Sequence, residues 1–118
     1  MSEATLTELR ALVPGCELLA LVDLTSCTLL ASDCAIWRPQ DHYDELCKFA
    51  SDIMERIVDL PPSPVFEANF RGFRGIVPLS RSDVLCAELA PTTHLPDFIA
   101  SVDQKRLALI PAGSDGHR

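Results

Sequence analysis

The chain has 118 residues, enough for one domain and too few for two. Hydrophobic residues make up 47% and charged residues 23%, and no apolar run approaches the ~18 residues of a membrane span, so the composition is that of an ordinary soluble globular protein without membrane insertion. Ten basic against 17 acidic residues give a net charge of −7, a field that repels polyphosphate and argues against a general nucleic-acid role.

The five cysteines, Cys16, Cys27, Cys34, Cys47 and Cys86, are odd in number, with no C-x-x-C pair and no histidine at ligand spacing. The opening "MSEATLTELR" carries early Glu residues and no apolar stretch of a secretory signal. The expectation is a cytoplasmic protein with reduced thiols, most of them acting as small hydrophobes.

In chain order, the first twelve or so residues read as a short helix. Thr5 or Thr7 is its candidate cap, Leu6, Leu9, Leu12 and Val13 recur at helical spacing, and Pro14–Gly15 ends it. "LLALVDL" (Leu18–Leu24) is apolar at odd and even positions alike, which predicts a central strand covered on both faces. After "TS", "CTLLA" (Cys27–Ala31) repeats the strand signal and makes a β-hairpin, with Cys27 at φ > 0 if the turn carries a bulge.

Pro39 and Asp41 open the strongest helix, read from Asp41 to Leu60. Tyr43, Leu46, Cys47, Ala50, Ile53, Met54, Ile57 and Val58 follow the helical repeat, and "PPSP" (Pro61–Pro64) ends it. A meander follows. Phe66, Ala68 and Phe70 alternate with Glu67, Asn69 and Arg71, which places Phe70 in the core; "GFRG" turns the chain; Ile76–Leu79 and Val84–Leu89 make two more strands. Pro78 cannot donate to a ladder and belongs at an edge, a bulge or a strand end. A last helix runs from about Pro96 to Leu109, with Phe98, Ile99, Val102 and Leu109 inward and Arg106 where an apolar residue is wanted. The domain therefore spans 1–111, with 112–118 a polar flexible tail. The fold class is α/β of the α+β kind, a five-stranded antiparallel sheet with helices on both faces in the order α-β-β-α-β-β-β-α.

This order, together with "LLALVDLTSCTLLASD" (Leu18–Asp33) and "GIVPLSRSDVLCAELA" (Gly75–Ala90), resembles the Roadblock/LC7 domain, a relative of the profilin-like and longin folds. The resemblance covers nearly the whole chain. It departs at Cys27, where a Gly is usual after the turn, and at the stiff "PPSP" before the third strand. What it implies is a homodimer or heterodimer with sheets joined edge to edge and second helices packed together. It also implies a non-enzymatic scaffold or regulator of a small Ras-like GTPase, or a motor light chain. On that reading the dimer surface comprises Leu46, Phe49, Ile53, Ile57, Glu67 and Asn69, and the wide apolar stripe of the second helix, which includes Leu60, supports it.

Other chemistries are weaker. "RGFRGIVP" shares Arg, Gly and Phe with an RNA-recognition octamer but lacks its stacking aromatics. Arg71 and Arg74 are candidate contacts to an acidic partner or a phosphate, or else solvated charges blunting an edge. A Cys/His dyad drawn from the five cysteines and His42, His94 and His117 competes with buried structural thiols. Asp33, Cys34 and His42 are too few for a zinc frame. None of the five glycines begins a phosphate loop, so no catalytic residue, metal or cofactor is expected, and any link to GTP runs through a partner. Two further readings stay open, an acidic dimeric chaperone or adaptor for an effector protein and a small thiol-dependent enzyme.

Overall fold

A strand apolar on both faces needs cover on both sides, and the computed structural model, which describes residues 2–56 and 63–109, supplies it. The elements are α1 (Ser2–Leu12), β1 (Cys16–Asp23), β2 (Thr28–Cys34), α2 (Gln40–Arg56), β3 (Val65–Asn69), β4 (Gly72–Pro78), β5 (Asp83–Leu89) and α3 (Leu95–Leu109). One five-stranded sheet has the order β2-β1-β5-β4-β3, antiparallel throughout, which is the expected α+β architecture.

The period of two along each strand divides the core between two layers. Leu19 and Leu21 of β1, Val77 of β4 and Leu85 and Leu89 of β5 face α1 and α3, where they meet Leu6, Leu9, Phe98, Val102 and Leu109. Leu18, Ala20 and Val22 of β1, Ile76 of β4 and Val84 and Cys86 of β5 face α2, where they meet Tyr43, Leu46, Cys47, Ala50 and Ile53. Burying each large aliphatic side chain is worth roughly 1.5–3 kcal/mol.

Several boundaries differ from the sequence reading. Helix α1 starts at Ser2, before both candidate caps; Thr7 lies inside it and its Oγ1 donates to the Glu3 carbonyl one turn back. Strand β2 runs on through Ser32 and Asp33 to Cys34, where pairing with β1 outweighs the low strand propensity of Ser and Asp. A bulge leaves Leu30 without a partner between the pairs Leu21–Ala31 and Val22–Leu29. Cys27 does adopt a positive φ, 53°, in a β1–β2 turn tightened by Asp23, whose Oδ1 accepts from the Thr25 amide at 2.9 Å. Pro78 is the last residue of β4, where its missing donor costs no ladder bond. Arg106 explains the weak pattern of α3: its Nη1 donates to the Pro78 carbonyl at 2.9 Å, so a half-buried arginine ties α3 to the end of β4. Ile57, Leu60 and the 112–118 tail lie outside the described residues.

The largest departure concerns the thiols. Cys27 and Cys47 form a disulfide with Cα atoms 5.9 Å apart, which corrects the expectation that all five cysteines are reduced. Spacing could not reveal it, because the hairpin turn and the middle of α2 come together only once α2 lies on the sheet. The bridge closes a separation of 20 residues, so its reduction, or Cys27→Ser, should lower stability by about 3 kcal/mol. Urea denaturation with and without a thiol reductant reads this directly; coincident curves would show that the bond constrains nothing.

Candidate functional site

The α2 face of the sheet is apolar only where α2 covers it. Continuing the alternation of β5 past Val84 and Cys86 brings Glu88 to the same face, at the end of the sheet where α2 begins. Arg74 stands opposite Glu88 in the β4–β5 ladder and its Nη2 lies 3.0 Å from Glu88 Oε2. His42, in the first turn of α2, places Nε2 2.9 Å from the same oxygen without making a hydrogen bond of good geometry. Arg38, just before α2, approaches Glu88 Oε1 at 3.9 Å. One carboxylate, its side chain only 13% exposed, is thus shared by two guanidinium groups and an imidazole.

These residues line a small cleft of about 90 Å³ together with Glu17, Asn69, Arg71, Gly72, Phe73 and Leu89. Two backbone irregularities shape it. Between the pairs Cys16–Leu89 and Leu18–Glu88, Glu17 is an extra residue in β1, a bulge that sets its exposed side chain at the cleft. Across the cleft, the β3–β4 hairpin turns through Phe70 and Arg71 alone, because β4 begins at Gly72 rather than at Ile76. Gly72 has a φ of +138°, and a Cβ there would stand 2.1 Å from the Leu89 carbonyl oxygen, so only glycine fits.

That turn also corrects the assignment of Phe70 to the core. Phe70 is 90% exposed, with the Arg71 guanidinium 5.4 Å from its ring centroid. Strand β3 ends at Asn69, so the alternation that points Phe66 inward stops one residue short of Phe70. Ala68, read as inward too, is exposed on the same short edge strand. Two more large apolar residues, Ile36 and Trp37, are 70% and 79% exposed and precede Arg38 of the cleft.

The residues read as a dimer surface separate into two groups. Leu46 and Ile53 are buried against this chain's own sheet, so the wide apolar stripe of α2 serves chiefly the core of its own subunit. Phe49 is half-buried, with the Arg74 guanidinium 5.7 Å from its ring centroid, and Glu67 and Asn69 are exposed on β3, an edge of the sheet. Of the two arginines singled out, Arg74 is tied to Glu88, and Arg71 has no carboxylate partner among the described residues. Sequence reasoning missed Glu17, Arg38 and Glu88; the signal available was a charged residue at an apolar position of a strand in Glu88.

The other candidate chemistries find different settings. Asp33 pairs with Arg10, Cys34 receives the Tyr43 hydroxyl at 3.7 Å and His42 faces Glu88, so these three do not converge. Among the described residues no group of three or more His, Cys, Asp or Glu side chains is placed to hold a metal ion, and no helix is long and apolar enough to cross a membrane. Burial pushes the Cys16 and Cys86 thiols up to about 12, which keeps both neutral and unreactive at pH 7. A thiol raised from 9.0 to about 12 contributes stability that is complete below pH 9 and is lost as pH rises toward 12. Iodoacetamide at neutral pH should therefore modify half-buried Cys34 before Cys16 or Cys86, read by peptide mass mapping. Equal labelling of all three in the folded protein would contradict this placement.

No family model and no curated protein matches the sequence. Solved structures do match. A Roadblock/LC7 domain from Streptomyces avermitilis superposes with a TM-score of 0.70 at 12% identity, over 92% of this chain and 98% of that one. A gliding protein, MglB, from Thermus thermophilus gives 0.71 at 15% identity over 92% and 84%. An MglB with a tetrameric arrangement gives 0.75 at 16% identity over the same shares. With the strand order and the helices on both faces, these likenesses define the class of the molecule. The chain has the Roadblock/LC7 fold.

Proposed function

We propose that the protein is a non-enzymatic dimeric regulator or scaffold of a small Ras-like GTPase. The observation that carries the reading is the β3 edge of the sheet, which no other described strand pairs. Glu67, Ala68 and Asn69 are exposed there, beside half-buried Phe49 of α2, and an edge strand presents unpaired N–H and C=O groups that a second copy can satisfy. A dimer joined at β3 would extend the sheet across both subunits and bring the two α2 helices together, with Phe49, Glu67 and Asn69 at the junction. The tetrameric arrangement described for one MglB supports assembly as a property of this fold. The GTPase as partner rests on the family resemblance, and the neutral buried thiols Cys16 and Cys86 argue against the thiol-enzyme alternative.

Calorimetric titration tests this reading against a panel of Ras-like GTPases, each loaded with GDP or with a non-hydrolysable GTP analogue. The expected result is binding to one of them with an affinity that depends on the nucleotide. Heats of dilution alone across the whole set would overturn the assignment.

A further inference from the structure

We propose that two copies of the chain join along β3 in one register, with Ala68 on the two-fold axis and the Glu67 carboxylate of each copy accepting from Asn69 of the partner subunit. The inference rests on the dimer proposed above and adds what selects its geometry.

Symmetry leaves few registers. A two-fold axis perpendicular to a continuous sheet keeps each face on its own side, and residues directly opposite in an antiparallel pair share a face. One residue of β3 must therefore meet its own copy. Glu67 is the middle of the five-residue strand, so centring there gives the longest overlap. It also sets two Glu67 carboxylates directly opposite each other, where like charges are destabilising. Arg74 offsets this only in part. It faces Glu67 in the β3–β4 ladder, but its guanidinium bonds Glu88 at 3.0 Å, and no ion pair among the described residues includes Glu67.

Shifts further from the middle lose the ladder. Centring on Val65 or Phe66 runs the pairing into Pro64, which precedes the strand and has no N–H to give. Centring on Asn69 leaves that residue alone in strand-to-strand pairing, because its neighbours then meet the turn residues Phe70 and Arg71. Centring on Ala68 avoids both faults and puts a small side chain on the axis.

The side chains fit that register. It sets Glu67 opposite the partner's Asn69, twice by symmetry, and both residues are exposed. Asn69 Oδ1 already accepts from the Arg71 amide at 2.8 Å, which leaves the side-chain NH2 group to donate. An ionised Glu67 is an acceptor only, so the two groups are complementary. One step beyond the strand, the same register carries Phe70, 90% exposed in the single chain, opposite the partner's Phe66, and cross-strand aromatic pairs are favourable.

The test is the dimer dissociation constant of the full chain by sedimentation equilibrium for Asn69→Asp, Glu67→Gln and the double variant. Asn69→Asp keeps an acceptor for the Arg71 amide but turns both Glu67–Asn69 contacts into facing carboxylates, which should weaken the dimer by about tenfold. Adding Glu67→Gln supplies a donor to each aspartate and should restore the wild-type affinity to within about threefold, and Glu67→Gln alone should change it by no more than that. Urea midpoints close to wild type in all three check the subunit. A dimer tightened by Glu67→Gln alone and indifferent to Asn69→Asp would place Glu67 on the axis, overturning the register but not the β3 dimer. A loss in Asn69→Asp that the double variant does not restore would overturn the register too. A wild type that stays monomeric would overturn the dimer itself.

Discussion

Ile53→Asp is expected to unfold the chain rather than to split a dimer cleanly. Ile53 is 4% exposed, on the face of α2 that packs against β1, β4 and β5. Removing an aliphatic side chain from such a site costs about 2–5 kcal/mol, and the aspartate adds an uncompensated charge in apolar surroundings. Against a total stability of about 5–15 kcal/mol, the sum removes most or all of the folded population. Circular dichroism through a urea titration reads it. A native-like midpoint in the variant would mean that Ile53 is not in the subunit's core, and that α2 presents this face elsewhere.

Phe98→Ala should have a comparable effect on the opposite face of the sheet. Phe98 is fully buried among Leu6, Leu9 and the inward residues of β4 and β5, and meets the ring of Phe66 edge to face at 6.0 Å. The truncation leaves a cavity and costs about 3–5 kcal/mol, of which the aromatic pair accounts for roughly 0.5–1.5. With a urea dependence of about 1–3 kcal/mol per molar, the midpoint should fall by more than about 1 M. A shift much smaller than that would place Phe98 outside the α1–α3 layer.

What was legible in the sequence and what was not follow from how local each signal is. The doubly apolar β1 and the amphipathic α2 are decided by patterns within one element, and both stand where the periodicity puts them. Cys27 was legible as a left-handed turn residue, because a β-hairpin turn constrains a single position. Phe70 was misplaced for the opposite reason: alternation says which face a residue takes but not where the strand ends, and Gly72 ends the turn sooner than "GFRG" suggests. The cleft was hidden because Glu17, Arg38 and Glu88 lie on three different segments and meet only through the register of β1, β5 and β4 and the start of α2. The disulfide was hidden likewise. The width of the α2 stripe, taken as a sign of a second contact surface, is explained for Leu46 and Ile53 by the breadth of the sheet beneath them.

The measurement closest to the central claim is sedimentation equilibrium over a concentration series on the wild type and on Glu67→Pro and Ala68→Pro. Successive N–H groups along β3 alternate between β4 and the free edge, so one proline breaks the β4 ladder and lowers stability, while the other meets only the free edge. A wild-type dimer that dissociates on dilution is predicted, together with its loss in the proline variant that keeps the wild-type unfolding midpoint. A wild type that stays monomeric at every concentration, or a dimer that survives both prolines, would contradict assembly through the β3 edge.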